Sequence, residues 1–338
     1  MQRVVYLDPL WAIDTDGRLD PALATFERDV YGSEIAMDFG IYEDATYVRE
    51  GARVEALVRG ADALVISRAQ ITPALAHALK PSCKVVGRSG IGFDNLNAPL
   101  LREHGMFGFN VPDYCIDEVS THALALVLAL ERRILEQDAR IKARAWDTYA
   151  GTSPRRMSAL TLGIVGFGNI GRAMARKAQA LFGRVVAYDP YVHADLMAGL
   201  GVSKCAALDE LVRAADAVTI HAFLDAGSRH LIDSAALAHA RPGTLLVNTA
   251  RGEIVEPSAV LAALRDGRLG GYGSDVFTPE DPNAEPTNAA ILACRNVLVT
   301  PHAAFRSVEA ERSQRTRVAQ TVEHVLRTGE PPLFGRRA

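Results

Sequence analysis

The chain's architecture is most tightly limited by one stretch near its middle. An apolar run, Leu160-Thr161-Leu162-Gly163-Ile164-Val165, passes directly into Gly166-Phe167-Gly168-Asn169-Ile170-Gly171, and a helical pattern from Arg172 to Leu181 follows. In this GxGxxG spacing the first glycine permits a tight turn. The second lets backbone approach a pyrophosphate, and the third lets the helix pack on the strand. The helix N-terminus offers unpaired N–H groups to the anion. A second apolar run, Val185-Val186-Ala187-Tyr188, closes on Asp189, 18 residues beyond Gly171. A carboxylate there accepts hydrogen bonds from both adenosine ribose hydroxyls and repels a 2′-phosphate, which points to NAD rather than NADP. Arg184 precedes that strand and is at the wrong end to hold the phosphate. An ordinary glycine turn also yields GxGxxG, but it does not require the strand, helix, strand and Asp in this order.

The same kind of strand recurs along the chain: Val4 to Leu7, Ala63 to Ile66, Lys84 to Gly87, Ala217 to Ile220, Thr244 to Val247 and Val297 to Val299. Each is short, apolar on both faces and bounded by Gly, Pro or Asp, as in parallel sheets covered by helices on both sides. Helical stretches between them predict a doubly wound α/β architecture. At 338 residues, 49% of them apolar, the chain suits two domains with real cores. Lys and Arg number 37 against 40 Asp and Glu, a net charge of −3, so nucleic acid is not expected as the main partner. The longest apolar run, Ala123 to Leu130, is too short for a bilayer, so no membrane partner is expected. Met1 to Tyr6 reads as a strand and not as a signal peptide. Cys83, Cys115, Cys205 and Cys294 are scattered without a CxxC pair, which suggests reduced thiols, a cytoplasmic protein and no metal site. Glu118 to Trp146 reads as one long helix whose apolar centre is buried on all sides. A second long helical pattern runs from Val308 to Leu326.

Three later strand ends carry polar groups where ligands bind in such sheets. Asn248-Thr249-Ala250-Arg251-Gly252 follows one, Ser274-Asp275-Val276-Phe277 leads from another to Glu280, and Thr300-Pro301-His302 follows a third. Arg251 suits a substrate carboxylate or carbonyl oxygen, His302 suits exchange of a hydroxyl proton, and Glu280 beside the ring would orient it and favour its charged form. Taken singly, a strand-end Arg is usually a solvated charge, a His after Pro a loop residue, and Glu280 part of a hydrated acidic loop. As a set following a nucleotide fold, they suit proton-coupled hydride transfer.

With Thr300-Pro301-His302-Ala303-Ala304 completing the set, these motifs resemble the signatures of the D-isomer-specific 2-hydroxyacid dehydrogenases over nearly the whole chain. The resemblance implies Arg251, Glu280 and His302 as the catalytic trio. It implies two doubly wound parallel-sheet domains with a cleft between them: a discontinuous flavodoxin-like substrate domain (1–113 plus 304–338) and a Rossmann NAD-binding domain (114–303). Cofactor contacts are implied at Gly166, Gly168, Asn169, Ile170, Gly171, Asp189, His221, Thr249, Ala250, Arg251, Asp275 and His302, with Asp275 at the nicotinamide carboxamide. Substrate contacts are implied at Ser67, Arg88, Gly90, Ile91, Arg251, His302 and Phe305. Successive glycines in Arg88 to Asn95 would form a backbone nest for a carboxylate or a simple turn.

Arg88 with Phe305 is most similar to the branch related to the C-terminal-binding proteins. Phe305 would supply an apolar wall or merely fill a core. Ser120-Thr121 and Ala69 depart from the common pattern near the expected cleft. The helix beginning near Glu118 is the implied homodimer element, or packs within one chain. The activity so implied is NAD-dependent interconversion of a D-2-hydroxy acid and its 2-keto acid. An NAD(H)-sensing, corepressor-like protein is the alternative, and an FMN electron carrier finds little support.

Overall fold

The computed structural model describes residues 1–335 and divides into two compact units: Met1–Tyr114 with the segment from Ser307 onward, and Cys115–Arg306. In the first unit the strands are β1 (Gln2–Tyr6), β2 (Ile35–Phe39), β5 (Ala63–Ile66), β6 (Val85–Arg88) and β7 (Phe107–Asn110), with a small antiparallel hairpin of β3 (Tyr42–Glu43) and β4 (Thr46–Tyr47). The sheet order is β2-β1-β5-β6-β7, all parallel, the flavodoxin-like arrangement. Alternation along the strands feeds two cores. Val5, Leu64, Ile66 and Val86 face one layer with Val54 and Leu75. Val4, Tyr6, Val65 and Val85 face the other with Val318, Val322 and Val325 of the long helix Val308–Thr328.

That helix starts at Ser307, whose Oγ accepts the Ala310 N–H at 2.9 Å, and stops at Gly329 in a left-handed conformation. Its Arg315 is buried in a bidentate pair with buried Glu27, Nε to Oε1 at 2.9 Å and Nη2 to Oε2 at 2.7 Å. The guanidinium also donates to the Leu23 carbonyl at 2.7 Å and lies 3.8 Å from the Trp11 ring centroid. Planarity lets one Arg satisfy a carboxylate at its edge and an aromatic ring at its face.

The second unit has β8 (Thr161–Val165), β9 (Arg184–Tyr188), β10 (Ser203–Lys204), β11 (Ala217–Ile220), β12 (Thr244–Asn248), β13 (Leu269–Ser274) and β14 (Val297–Val299). Their order, β10-β9-β8-β11-β12-β13-β14, is the Rossmann arrangement with one strand added, and every pairing is parallel. The order reverses between β8 and β11, so the crevice of the sheet opens above Val165 and Ile220.

One expectation is corrected. The stretch from Glu118 to Trp146 is not a single helix: Ile116–Glu131 and Ile134–Lys142 are separated at Arg133, which adopts a positive φ of 54°. Nor is the apolar centre buried on all sides. Val119, Ala123, Leu126, Val127 and Leu130 are buried, whereas Leu124 and Leu128 are half-buried and Ala125 is exposed. The buried face meets Met174, Ala175 and Ala178 of the helix after the glycine motif, together with Val247 of β12. This helix is an outer layer on the sheet and has one inner face.

The four cysteines form no disulfide, and burial pushes the Cys83 thiol up to about 12 and the Cys205 thiol up to about 11. Among the described residues no helix is long and apolar enough to cross a membrane. Removing one partner of the buried Arg315–Glu27 pair leaves an uncompensated charge. Glu27→Ala is expected to destabilise the first unit by about 3–5 kcal/mol, read in urea by the fluorescence of Trp11.

Candidate active site

The glycine loop follows β8. Gly166 has a φ of 88°, and a Cβ placed on it would lie 2.5 Å from the Ala222 backbone nitrogen, so both its conformation and its clearance require glycine. A Cβ on Gly171 would run into the Gly166 carbonyl, whereas one on Gly168 would meet open space. Asn169 and Ile170 begin the helix Asn169–Ala178, with Gly168 at its N-cap. Asp189, beyond the end of β9, accepts the Phe167 N–H at 2.8 Å on Oδ2 and the Tyr191 N–H at 2.9 Å on Oδ1. Two donors do not exhaust a carboxylate, so acceptor sites remain for ribose hydroxyls.

The neighbouring strand ends continue this cradle. His221 follows β11, and its backbone N–H donates to the Val165 carbonyl at 2.7 Å. Its ring Nε2 and the hydroxyl of Thr249, after β12, are buried without a hydrogen-bond partner. Buried polar groups are rarely left unpaired. Open space over Gly168, acceptors on Asp189 and two unpaired buried groups fit a dinucleotide laid across the strand ends. Burial lowers the His221 imidazole to about 4, so the ring is neutral at ordinary pH.

The catalytic candidates lie on the loops of the same sheet. Buried Asn248 ends β12 and bridges its own loop, accepting the Ala250 N–H at 3.0 Å and donating to the Arg251 carbonyl at 2.8 Å. The Arg251 guanidinium donates to the Ala250 carbonyl at 2.8 Å. Gly252 lets this loop approach the one carrying Glu280, since a Cβ on it would lie 2.6 Å from the Thr278 hydroxyl. Buried Asn288 donates to the Thr278 carbonyl at 3.1 Å, fixing the Glu280 loop from its other side. Glu280 Oε1 stands 2.9 Å from His302 Nδ1, which leaves Nε2 as the ring nitrogen free of this pair. The Phe305 ring meets the His302 ring edge-on, with centroids 6.4 Å apart.

His302 has a φ of 54°, a backbone state uncommon outside glycine. Its N–H donates to the Asp275 carbonyl at 2.8 Å and the Thr300 carbonyl at 3.0 Å. The buried Asp275 carboxylate takes the Thr300 hydroxyl at 2.5 Å, the Ala303 N–H at 2.8 Å and the Ala304 N–H at 3.0 Å. Sequence reasoning placed Asp275 only at the carboxamide. It passed over Asn248, Asn288 and Thr300 as supports of the loops, although Asn248 and Thr300 stand inside the motifs.

The remaining substrate candidates belong to the other unit. Ser67 follows β5. Its N–H and those of Arg68 and Ala69 donate to the fully buried carboxylate of Asp8, at 2.6, 2.8 and 2.9 Å, and Arg49 Nε joins them at 2.9 Å. Arg88 ends β6, and its guanidinium occupies the space a side chain on Gly90 would need. The N–H groups of Ser89 and Gly90 donate to the carbonyls of Ile66 and Arg88, and Asn110 donates to the Ile91 carbonyl at 2.6 Å. Both N–H groups are thus already engaged, that of Ser89 with the end of β5 and that of Gly90 within the loop. Among the described residues no cluster of His, Cys, Asp or Glu has the makings of a metal site.

Residues 124–304 match the NAD binding domain of the D-isomer specific 2-hydroxyacid dehydrogenases. The chain belongs to this family. It is 35% identical over 285 residues to the (S)-sulfolactate dehydrogenase of Chromohalobacter salexigens, covering 84% of this chain and 91% of that one. It is 36% identical over 273 residues to the D-3-phosphoglycerate dehydrogenase of Mycobacterium leprae, covering 80% of this chain. Only 50% of that relative is matched, so the chain spans about half the length of the curated phosphoglycerate dehydrogenase. Among solved structures, the apo D-lactate dehydrogenase of Escherichia coli superimposes with a TM-score of 0.79 and 26% identity, covering 98% of this chain and 99% of that one.

The neutral His221, whose Nε2 is buried, generates an acid sensitivity. An unfolded His takes up its proton near 6.5, but the folded ring does so near about 4. Its contribution is complete above about pH 6.5 and is lost as pH falls through that window, on the order of 3 kcal/mol. His221→Asn is expected to flatten the fall of urea stability between about pH 6.5 and 4. An imidazole NMR titration of the wild type should place this ring's midpoint near the lower value.

Proposed function

We propose that the chain is an NAD-dependent oxidoreductase that interconverts a D-2-hydroxy acid and its 2-keto acid. The observation that carries this reading is the 2.9 Å contact of Glu280 with His302 Nδ1, on loops of the same sheet that bears the glycine motif. The Gly166–Gly171 loop, Asp189, His221 and Thr249 would hold NAD, which when bound would supply the hydride acceptor or donor. Arg251 binds the substrate carboxylate or polarises its carbonyl oxygen. With Nδ1 held by Glu280, His302 gives a proton from Nε2 to the keto oxygen during reduction and removes it during oxidation. Phe305, beside the imidazole, walls the substrate's R group, and Ser67, Arg88, Gly90 and Ile91 are the substrate contacts proposed on the unit of Met1–Tyr114. That unit serves as the substrate domain, and the unit of Cys115–Arg306 as the nucleotide domain.

The Asp8 carboxylate argues against FMN in the flavodoxin-like unit. It already occupies three backbone N–H groups at the end of β5, where a phosphate would otherwise seek donors. None of the four cysteines is in a disulfide, which supports a cytoplasmic enzyme.

A second copy of the chain is the partner proposed for the segment after Arg133. Ile134, Leu135 and Ile141 are half exposed there, and Trp146 and Tyr149 are almost fully exposed, at 87% and 93%. An apolar strip of this kind marks an interaction surface, and a two-fold dimer is the commonest solution.

Purified protein is expected to oxidise NADH with at least one of glyoxylate, pyruvate, hydroxypyruvate and phenylpyruvate. His302→Ala should lower kcat by about 10²–10⁴-fold while NADH binding, followed by fluorescence, is retained. Arg251→Leu should damage both kcat and keto-acid affinity. Tight NADH binding with negligible turnover across the panel would instead identify a dinucleotide sensor. Sedimentation equilibrium tests the assembly: the wild type should sediment as a dimer and the pair Leu135→Asp with Trp146→Asp as a monomer.

A further inference from the structure

We propose that His122 is a positioning residue for His302, acting through the Thr300 hydroxyl and the Asp275 carboxylate. His122 projects from the helix Ile116–Glu131, outside every motif that suggested the reaction. Its Nε2 lies 2.9 Å from Thr300 Oγ1, which lies 2.5 Å from Asp275 Oδ1. The Nε2 atom is itself 4.0 Å from that carboxylate oxygen.

The direction of each bond follows from the protons available. A carboxylate accepts only, and a threonine hydroxyl has one proton. Thr300 therefore donates to Asp275, and the other contact must run from His122 Nε2–H to the Thr300 oxygen. Asp275 in turn gathers the N–H groups of Ala303 and Ala304, the two residues after His302. His302 is held on the preceding side by its own N–H to the Asp275 and Thr300 carbonyls.

The left-handed backbone of His302 is strained for a non-glycine residue and persists only where its surroundings fix it. The chain from His122 to the Ala303–Ala304 amides supplies that fixation. It sets where the imidazole stands against Glu280 and the substrate oxygen. Losing the first donor leaves the Thr300 oxygen unpaired and loosens the Asp275 carboxylate, so the loop samples other backbone states.

The inference rests on the proposed dehydrogenase reaction for its kinetic arm. His122→Leu and Thr300→Val are each expected to lower kcat about tenfold or more, since small misplacements of a reacting group are costly, with KM for NADH changed less than about twofold. His122→Gln, which restores an N–H donor, and Thr300→Ser should recover most of the loss. The double variant His122→Leu with Thr300→Val should be no slower than the slower single variant, because both cut one chain.

A second arm needs neither cofactor nor turnover. In histidine-labelled protein, His122→Leu should displace the His302 ring resonances and His122→Gln should leave them in place. An unchanged kcat in His122→Leu, additive losses in the double variant, failure of Gln to rescue, or unmoved His302 resonances would overturn the proposal. If the wild type turns over no keto acid, the dehydrogenase reading falls, and the resonance arm alone decides this one.

Discussion

In a parallel sheet every strand ends on the same side. Hydrogen bonding between neighbours fixes this, and it determines where the chemistry of this chain is placed. Gly166, Asp189, His221, Thr249, Asp275 and Thr300 all follow strand ends of one sheet, though they are scattered over more than a hundred residues of sequence. The reversal of order between β8 and β11 opens a crevice at this edge, with the glycine loop on one side and His221 on the other. Helices cover both faces of the sheet, so the loops at its edge hold most of the polar groups available to a ligand.

Loops placed in this way need support of their own, and buried amides and carboxylates provide it. Asn248 bridges two backbone groups of the Arg251 loop, Asn288 fastens the Glu280 loop, and Asp275 collects the loop of His302. Each of the three is nearly or fully buried, where a hydrogen bond is strong and an unmade one is costly. The loop residues proposed to face substrate thus depend on buried side chains that hold their backbone.

Much of this was legible in the sequence because it depends on local pattern. The GxGxxG turn, the apolar strands and the carboxylate ending β9 each need particular residues at particular spacings, and the structure finds the strands where they were read. Strand β2 was missed: Ile35-Ala36-Met37-Asp38-Phe39 lies at a sheet edge, paired on one side, and its half-buried residues give no continuous apolar signal. The break at Arg133 was missed because a left-handed arginine leaves no mark on hydrophobic periodicity. The contacts of His122 and Asn288 were invisible for a different reason. Their partners are 178 and 10 residues away, and only folding sets those distances.

Asp8 shows how little separates two folds of the same kind. Both sheets reverse their strand order, and both carry amide-rich loops beside that reversal. In one, a side chain on Gly168 would meet nothing within 4 Å, and the Asp189 carboxylate takes only the Phe167 and Tyr191 amides. In the other, the molecule carries its own counter-ion, a buried aspartate that fills the hollow permanently. Topology alone thus treats the two halves alike, and one side chain just beyond the first strand sets them apart.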